Sequence, residues 1–226
     1  MNWPAIDELP TLVPLPKGYR FERLNRASIP ALIEAIKVWH PEIAVGVASC
    51  YLREDFYHQR VFLDGEAQRD VWVVVIKFNN DVVGVWSLER EVEALAIYGR
   101  LMIVAAAHRG AKLASSVMMG SEDMGRTMGA QFLYGMATLK TPFGQRALEH
   151  AGYRLLGFFP GYNREQVAPG VVKRVYEAVY GKLLVPDNEV HYPDPKNLTP
   201  KARALFELLF SNGPAALPQV GMESEK

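Results

Sequence analysis

Apolar and polar positions alternate in some stretches of this chain and recur about every third or fourth residue in others, and that switching divides it into elements. The first eighteen residues carry Pro4, Pro10, Pro14 and Pro16, so an extended arm is expected where a continuous helix could not form. From Tyr19 to Leu24 rings and aliphatics alternate with charges, which predicts a strand. Ser28 then caps a helix with Pro30 in its first turn and Leu32, Ile33, Ile36 and Trp39 on one face. A second helix is expected over roughly Tyr51 to Leu63, before a turn at Asp64 and Gly65. The β-rich runs Trp72 to Phe78 and Val82 to Glu91 flank only Asn79, Asn80 and Asp81, which predicts an antiparallel hairpin.

A third strand is expected from Ala94 to Val104, followed by a helix running from Arg109 to about Met128 that Gly120 and Gly125 weaken. Its four methionines, Met118, Met119, Met124 and Met128, read as packing residues. Gly129 ends this helix, Gln131 to Ala137 reads as a buried strand, and Pro142 to His150 as a helix closed by Gly152. Strands at Tyr153 to Phe159 and Val172 to Leu183 are expected on either side of a loop from Pro160 to Gly170. Beyond Leu184 lies a proline-broken linker, and then a helix capped by Thr199, with Pro200 first, Ala204, Leu205, Leu208 and Leu209 on its apolar side and Asn212 and Gly213 as its stop. That helix packs back on the domain or forms a homodimer contact. The expected division is an arm over residues 1–18, a domain over 19–184, and a linker with an amphipathic helix over 185–226.

The order of strands and helices mixes an antiparallel front half with a crossover in the back half. It predicts an α+β fold with a central mixed, mostly antiparallel sheet flanked by helices, and excludes a doubly wound dinucleotide fold or a barrel. Composition narrows the function. The 226 residues balance 25 Lys and Arg against 25 Asp and Glu, so no global field favours nucleic acid or an anionic membrane. The single cysteine, Cys50, rules out an internal disulfide or a cysteine zinc cage and reads as a buried inert thiol. His40, His58, His150 and His191 lack metal spacing, so no metal site is expected. No secretory start or membrane-length apolar run is seen, and a soluble, cytoplasmic protein is the expectation.

One segment carries candidate chemistry. From Leu95 to Ala114 an apolar strand runs into the small residues Ala105, Ala106, Ala107, Gly110 and Ala111, with Arg109 and Lys112 among them, just where a helix opens. Helix starts present unpaired N–H groups and the positive end of the macrodipole, so the junction suits a phosphate, which His108 could also contact. No dinucleotide GxGxxG, P-loop, CxxC or HExxH motif occurs, and Ser115 and Ser116 lack the glycines of a nucleophile elbow.

In this setting the chain resembles the GNAT superfamily of acyl-CoA-dependent N-acyltransferases over roughly Tyr19 to Leu184. The resemblance rests on Val104 followed by Arg109, Gly110, Ala111, Lys112, Leu113 and Ala114, on the element order, and on the closing run GluHisAlaGlyTyrArgLeuLeuGlyPhe. Lys112 replaces the family's central glycine, and either grips the diphosphate or crowds it. The resemblance implies acetyl-CoA or another acyl-CoA as substrate, a strand splayed from its parallel neighbour, and a pantetheine arm pairing with the backbone of Met102, Ile103 and Val104. It implies transfer of an acyl group, acetyl by expectation, to the primary amine of a small molecule or peptide by direct attack in a ternary complex. At the family's base position stands Tyr98, with Arg100 on its face, and Glu89, Glu91 and Glu93 just upstream are further candidates or a solvated strand end. The family's thiolate-protonating tyrosine falls at Leu148 and its CoA-contacting asparagine at Thr141; Tyr134, Tyr153 or Tyr162 could substitute for that tyrosine. Two other readings follow from these departures and from local charge: a GNAT-fold CoA-binding or interaction module without turnover, and an acyltransferase of protein or nucleic-acid amines. The basic excess around Arg100, Arg109, Lys112, Arg126, Lys140 and Arg146 would be consumed by CoA phosphates, which disfavours nucleic acid.

Overall fold

The computed structural model describes residues 1–210, in two units, one over 1–184 and one made of the described residues from 185 on. In the first, eight strands form one sheet in the order β1-β3-β4-β5-β6-β8-β7: β1 (Tyr19–Arg23), β3 (Val71–Phe78), β4 (Asp81–Glu91), β5 (Ala96–Val104), β6 (Phe132–Thr138), β8 (Val171–Leu183) and β7 (Arg154–Ala168). The short β2 (Val61–Phe62) continues the line of β1 and pairs with β3 in parallel. All other neighbours are antiparallel except β5 and β6, joined by the crossover helix α4 (Leu113–Thr127). This is the mixed, mostly antiparallel sheet expected. The β3–β4 hairpin closes at Asn79, which adopts φ 55°, a left-handed conformation that asparagine tolerates better than most residues.

Strand alternation sends each residue set to a separate core. On one face Trp72, Val74, Ile76, Trp86, Leu88, Ile97, Leu133 and Tyr180 pack against α4 and α5 (Phe143–His150). On the other Val71, Val73, Val75, Val85 and Ile103 pack against α2 (Ile29–Trp39) and α3 (Glu54–Arg60). Met124 and Met128 are buried in the first core as packing residues, whereas Met119 is exposed.

Four expectations need correction. The arm contains a one-turn helix, α1 (Leu9–Leu12), and is docked: Trp3, Leu9 and Val13 are buried, and Trp3 Nε1 donates to the Arg69 carbonyl at 2.8 Å. Apolar burial outweighs the proline-rich composition there. The helix expected over Tyr51 to Leu63 is a 3-10 turn (Val47–Leu52), the short α3, and then β2, because Val61 and Phe62 gain a strand partner on β3. The crossover helix starts at Leu113, four residues after Arg109. Finally, most of the loop expected from Pro160 to Gly170 is strand: β7 runs to Ala168 and turns through Pro169 and Gly170 into β8, with its widest register break around Pro160 to Tyr162 and smaller ones at Leu156 and Val167. Proline is tolerated there because β7 is an edge strand and the register break leaves its missing N–H unneeded.

In the second unit Asp194 caps a 3-10 turn at Pro195–Asn197, and Thr199 Oγ1 accepts from Ala202 N at the start of α6 (Pro200–Phe210). The stop expected at Asn212 and Gly213 lies outside the described residues.

Docking of the arm explains Gly120 inside α4. A Cβ at this position would lie 2.6 Å from Val13 Cα and 2.8 Å from the Leu12 carbonyl oxygen, so the glycine is what lets the arm's backbone cross the helix. Gly120→Leu is therefore expected to destabilise the fold by about 1–3 kcal/mol through overpacking, read as a lower urea midpoint.

Candidate active site

The defining feature is a fork in the sheet. β5 and β6 pair in parallel only from Ala96 opposite Phe132 to Gly99 opposite Gly135. Past that point Leu101 to Val104 pair with β4 alone, and Met136 to Thr138 with β8 alone. The register of β5 on β4 slips at the same place: Ser87 faces Leu101 and Leu88 faces Gly99, leaving Arg100 as the extra residue. Such a bulge bends its strand and increases its twist, which carries β5 away from β6. The splay expected from the resemblance is thus present. Between the parted strands, α4 and α5 lies a cavity of about 400 Å³ lined by Met102, Ala114, Met118, Leu133, Met136 and Leu148 among others.

At the far end of β5 the chain passes a 3-10 turn (Ala106–His108) before α4 begins. Gly110 and Lys112 are both left-handed, with φ 90° and 61°. Among the described residues, the N–H groups of Gly110, Lys112, Leu113, Ala114 and Ser115 have no acceptor, whereas Ser116 N already bonds the Lys112 carbonyl at 2.9 Å. Those N–H groups and the helix dipole form an anion cradle. Nothing lies within 4 Å of a Cβ built on Gly110, so the cradle is open. Lys112 is the N-cap residue of α4, so it belongs to the turn and not to a helical turn as its spacing had suggested. Arg109 departs further from expectation. Its guanidinium bonds the carbonyls of Val104 at 3.2 Å and Trp39 at 3.1 Å, tying the loop to the end of α2. His108 Nδ1 is likewise engaged, with Tyr19 Oη at 2.9 Å. Thr141 is exposed beside α5 and does not line the cavity.

On the face opposite α4 and α5, next to the fork, stands a polar and aromatic cluster. Tyr98 stacks on Tyr134 with centroids 4.9 Å apart and planes 18° apart, and Phe132 continues the stack. Tyr134 Oη donates to Glu91 at 2.6 Å. Arg100 bonds Glu89 and donates to Tyr51 Oη at 3.2 Å, and Tyr51 in turn donates to Ser87 Oγ at 2.6 Å. Burial pushes the Tyr98 and Tyr134 phenols well above their ordinary pKa, and Tyr51 up to about 12. That shift is opposite to what a general base needs, so Tyr98 is built to stay protonated. Glu89 is committed to Arg100 and Arg60, and Glu91 to a phenol. Cys50 is half-buried, and burial raises its thiol pKa.

A residue that sequence reasoning missed completes the cluster. Glu177 on β8, opposite Thr138 at the open arm of the fork, is 6% exposed, and burial lifts its carboxyl above the usual range. Asn163 Nδ2 donates to Glu177 Oε1 at 3.0 Å, while Asn163 Oδ1 accepts from Val47 N at 3.1 Å and Arg164 N at 2.8 Å. One amide therefore fixes the carboxylate, the register break of β7 and the turn after α2 together. Gly46 permits this packing: a Cβ there would meet the Arg164 carbonyl oxygen at 2.2 Å. The only sequence signal was a single acid breaking the apolar run of β8. Among the described residues no His, Cys, Asp and Glu cluster could hold a metal ion, and no helix is long and apolar enough to cross a membrane.

No protein-family model matches the sequence, and no curated protein matches it. Solved structures do resemble the fold. Spermidine N-acetyltransferase SpeG of Vibrio cholerae aligns with TM-score 0.59 at 12% identity, over 75% of this chain and 95% of that one. RimL, a ribosomal alpha-N-protein acetyltransferase solved with coenzyme A, aligns with TM-score 0.57 at 12% identity, over 76% and 97%. IAA acetyltransferase of Bacillus cereus aligns with TM-score 0.53 at 15% identity, over 74% and 99%. This chain shares the fold of these solved acetyltransferases.

The cradle makes a direct prediction. Gly110→Glu places a carboxylate and a strained backbone among the free N–H groups, and is expected to abolish binding of a diphosphate ligand at the cradle, read as loss of the rise in melting temperature that such a ligand produces. Lys112→Gly, which suits φ 61° and keeps the N–H groups, is expected to leave that rise within a few degrees.

Proposed function

We propose that the protein transfers an acyl group from acyl-CoA to a primary amine. The observation that carries this reading is the fork in the sheet leading directly to the open N–H cradle at the start of α4. A chain entering the gap finds unpaired strand edges on Leu101 to Val104, and its diphosphate finds the N–H groups of Gly110 and of Lys112 to Ser115. Met102, Ile103 and Val104 supply backbone, Arg109 braces the loop, and Ala111 keeps it narrow. The bound thioester supplies an acyl carbon activated for attack.

The chain's own groups divide the remaining work. The acceptor arrives as an ammonium and must lose a proton before its nitrogen can attack. Glu177, held by Asn163 and raised in pKa by burial, takes that proton. As the carbon–nitrogen bond forms, negative charge develops on the carbonyl oxygen, which a hydrogen-bond donor on the parted strand edges of the fork stabilises. When the carbon–sulfur bond breaks, the attacking nitrogen gives up its second proton to the leaving thiolate, which the neutral Tyr98 phenol meanwhile holds by a hydrogen bond, in place of the tyrosine that Leu148 cannot supply. Arg100, Glu89, Tyr134 and Glu91 hold the ring stack and keep the face acidic, which favours a cationic amine over a nucleic acid.

A CoA-binding module without turnover is the second reading, and Leu148 favours it. Thiol release from acyl-CoA across a panel of polyamines, amino acids and peptides separates the two: release with at least one amine supports transfer, and binding without release with any of them supports the module.

Glu177→Gln tests the base. The variant is expected to lose at least about a hundredfold in kcat/KM, and to lose the inflection that the native profile shows above the ordinary carboxylate pKa. Stability moves the other way. A folded-state pKa above the unfolded one means that ionising Glu177 costs stability as pH rises between the two values. The variant should therefore melt above the native protein at neutral pH, with the gap closing in acid.

A further inference from the structure

We infer that the acyl donor carries a medium-length chain, about hexanoyl, and that the chain lies in the back of the fork cavity; this rests on the acyltransferase reading above. The cavity does not stop where the strands part. Besides the residues of the open gap, it is lined by Ile97 and Leu133, which face each other across the paired part of β5 and β6, and by Leu88, which faces Gly99. Ile97 sits two residues behind the fork, about 7 Å further along the strand. On the opposite wall Ala114, Met118 and Ser121 share one face of α4 and follow the cavity inward for about 10 Å of helix.

A pantetheine arm paired with Leu101 to Val104 accounts for the part of this volume in front of the fork. It does not account for the pocket behind, which acetyl would leave largely unfilled. The pocket behind is apolar: Leu88, Ile97 and Leu133 are each at most 4% exposed, and Leu148 adds a further aliphatic wall. The acyl carbon is then at the fork, with Glu177 and Tyr98 on the opposite face of the sheet, so the alkyl chain and the amine approach from different sides and do not compete for space. Ser121 and Tyr153 bring hydroxyls into the lining, which sets a polar limit on the chain.

The test measures affinity and kcat/KM for acetyl-, butanoyl-, hexanoyl-, octanoyl- and palmitoyl-CoA, with free coenzyme A as reference. Burying each methylene is expected to tighten binding about three- to fourfold up to hexanoyl, with palmitoyl excluded. Ser121→Leu, on the far wall, should erase the hexanoyl advantage while leaving acetyl-CoA binding within about twofold, and Ala147→Leu, on α5, should do the same if the first variant melts too low to assay. Binding of free coenzyme A together with equal affinity for every acyl-CoA whatever its chain length, or a preference for acetyl, overturns the inference and leaves the acyltransferase reading standing. Failure of coenzyme A itself to bind overturns both.

Discussion

Every backbone group in a sheet needs a partner, and the middle of this sheet departs from that requirement where β5 and β6 part. Between Gly99 and Val104 on one side and Gly135 and Thr138 on the other, two parallel neighbours separate and leave facing edges unpaired. Edges of that kind are costly unless something else pairs with them, so the gap is either filled by a ligand or wetted. The bulge at Arg100 supplies the local cause, because one extra residue cannot be absorbed without bending the strand. The cavity, the free N–H groups where β5 hands over to α4, and the access to both faces of the sheet follow from that separation.

The face bearing Glu177 shows how a crowded set of ionisable groups can leave one of them distinctive. Arg100 neutralises Glu89 and holds Tyr51, and Tyr134 caps Glu91, so most charges there are spoken for by a neighbour. Glu177 receives only an amide. Hydrogen bonding from Asn163 lowers its pKa, but burial outweighs it, and the balance leaves a carboxyl that binds its proton more tightly than an exposed one. The same burial acts on Tyr98 in the opposite functional sense, since a phenol pushed upward is a donor and not a base.

Much of the site was legible along the chain, and the misses have specific causes. The phosphate loop was located because small residues between an apolar strand and a helix are a local pattern. Its geometry was not, since Lys112 adopts a left-handed conformation that no lysine advertises, and so the helix begins at Leu113. Arg109 was expected to face an anion; the end of α2, distant in sequence, supplies the Trp39 carbonyl that takes it instead. Residues 160–170 read as a loop for their Gly, Pro and Asn, yet pairing with β8 outweighs those local preferences.

By itself the sequence determined the element order, the hairpin at Asn79, the mixed sheet and the place where an anion could sit. Each of these depends on interactions among residues a few positions apart, or on the apolar period of one element. Only the tertiary structure decided that the arm docks over Gly120, that β5 and β6 part at Gly99, and that Asn163 delivers Glu177 to the fork. Those outcomes depend on backbone approaches across more than ten intervening residues, as when Val47 meets Asn163 at |i−j| = 116, and no local pattern encodes such a distance.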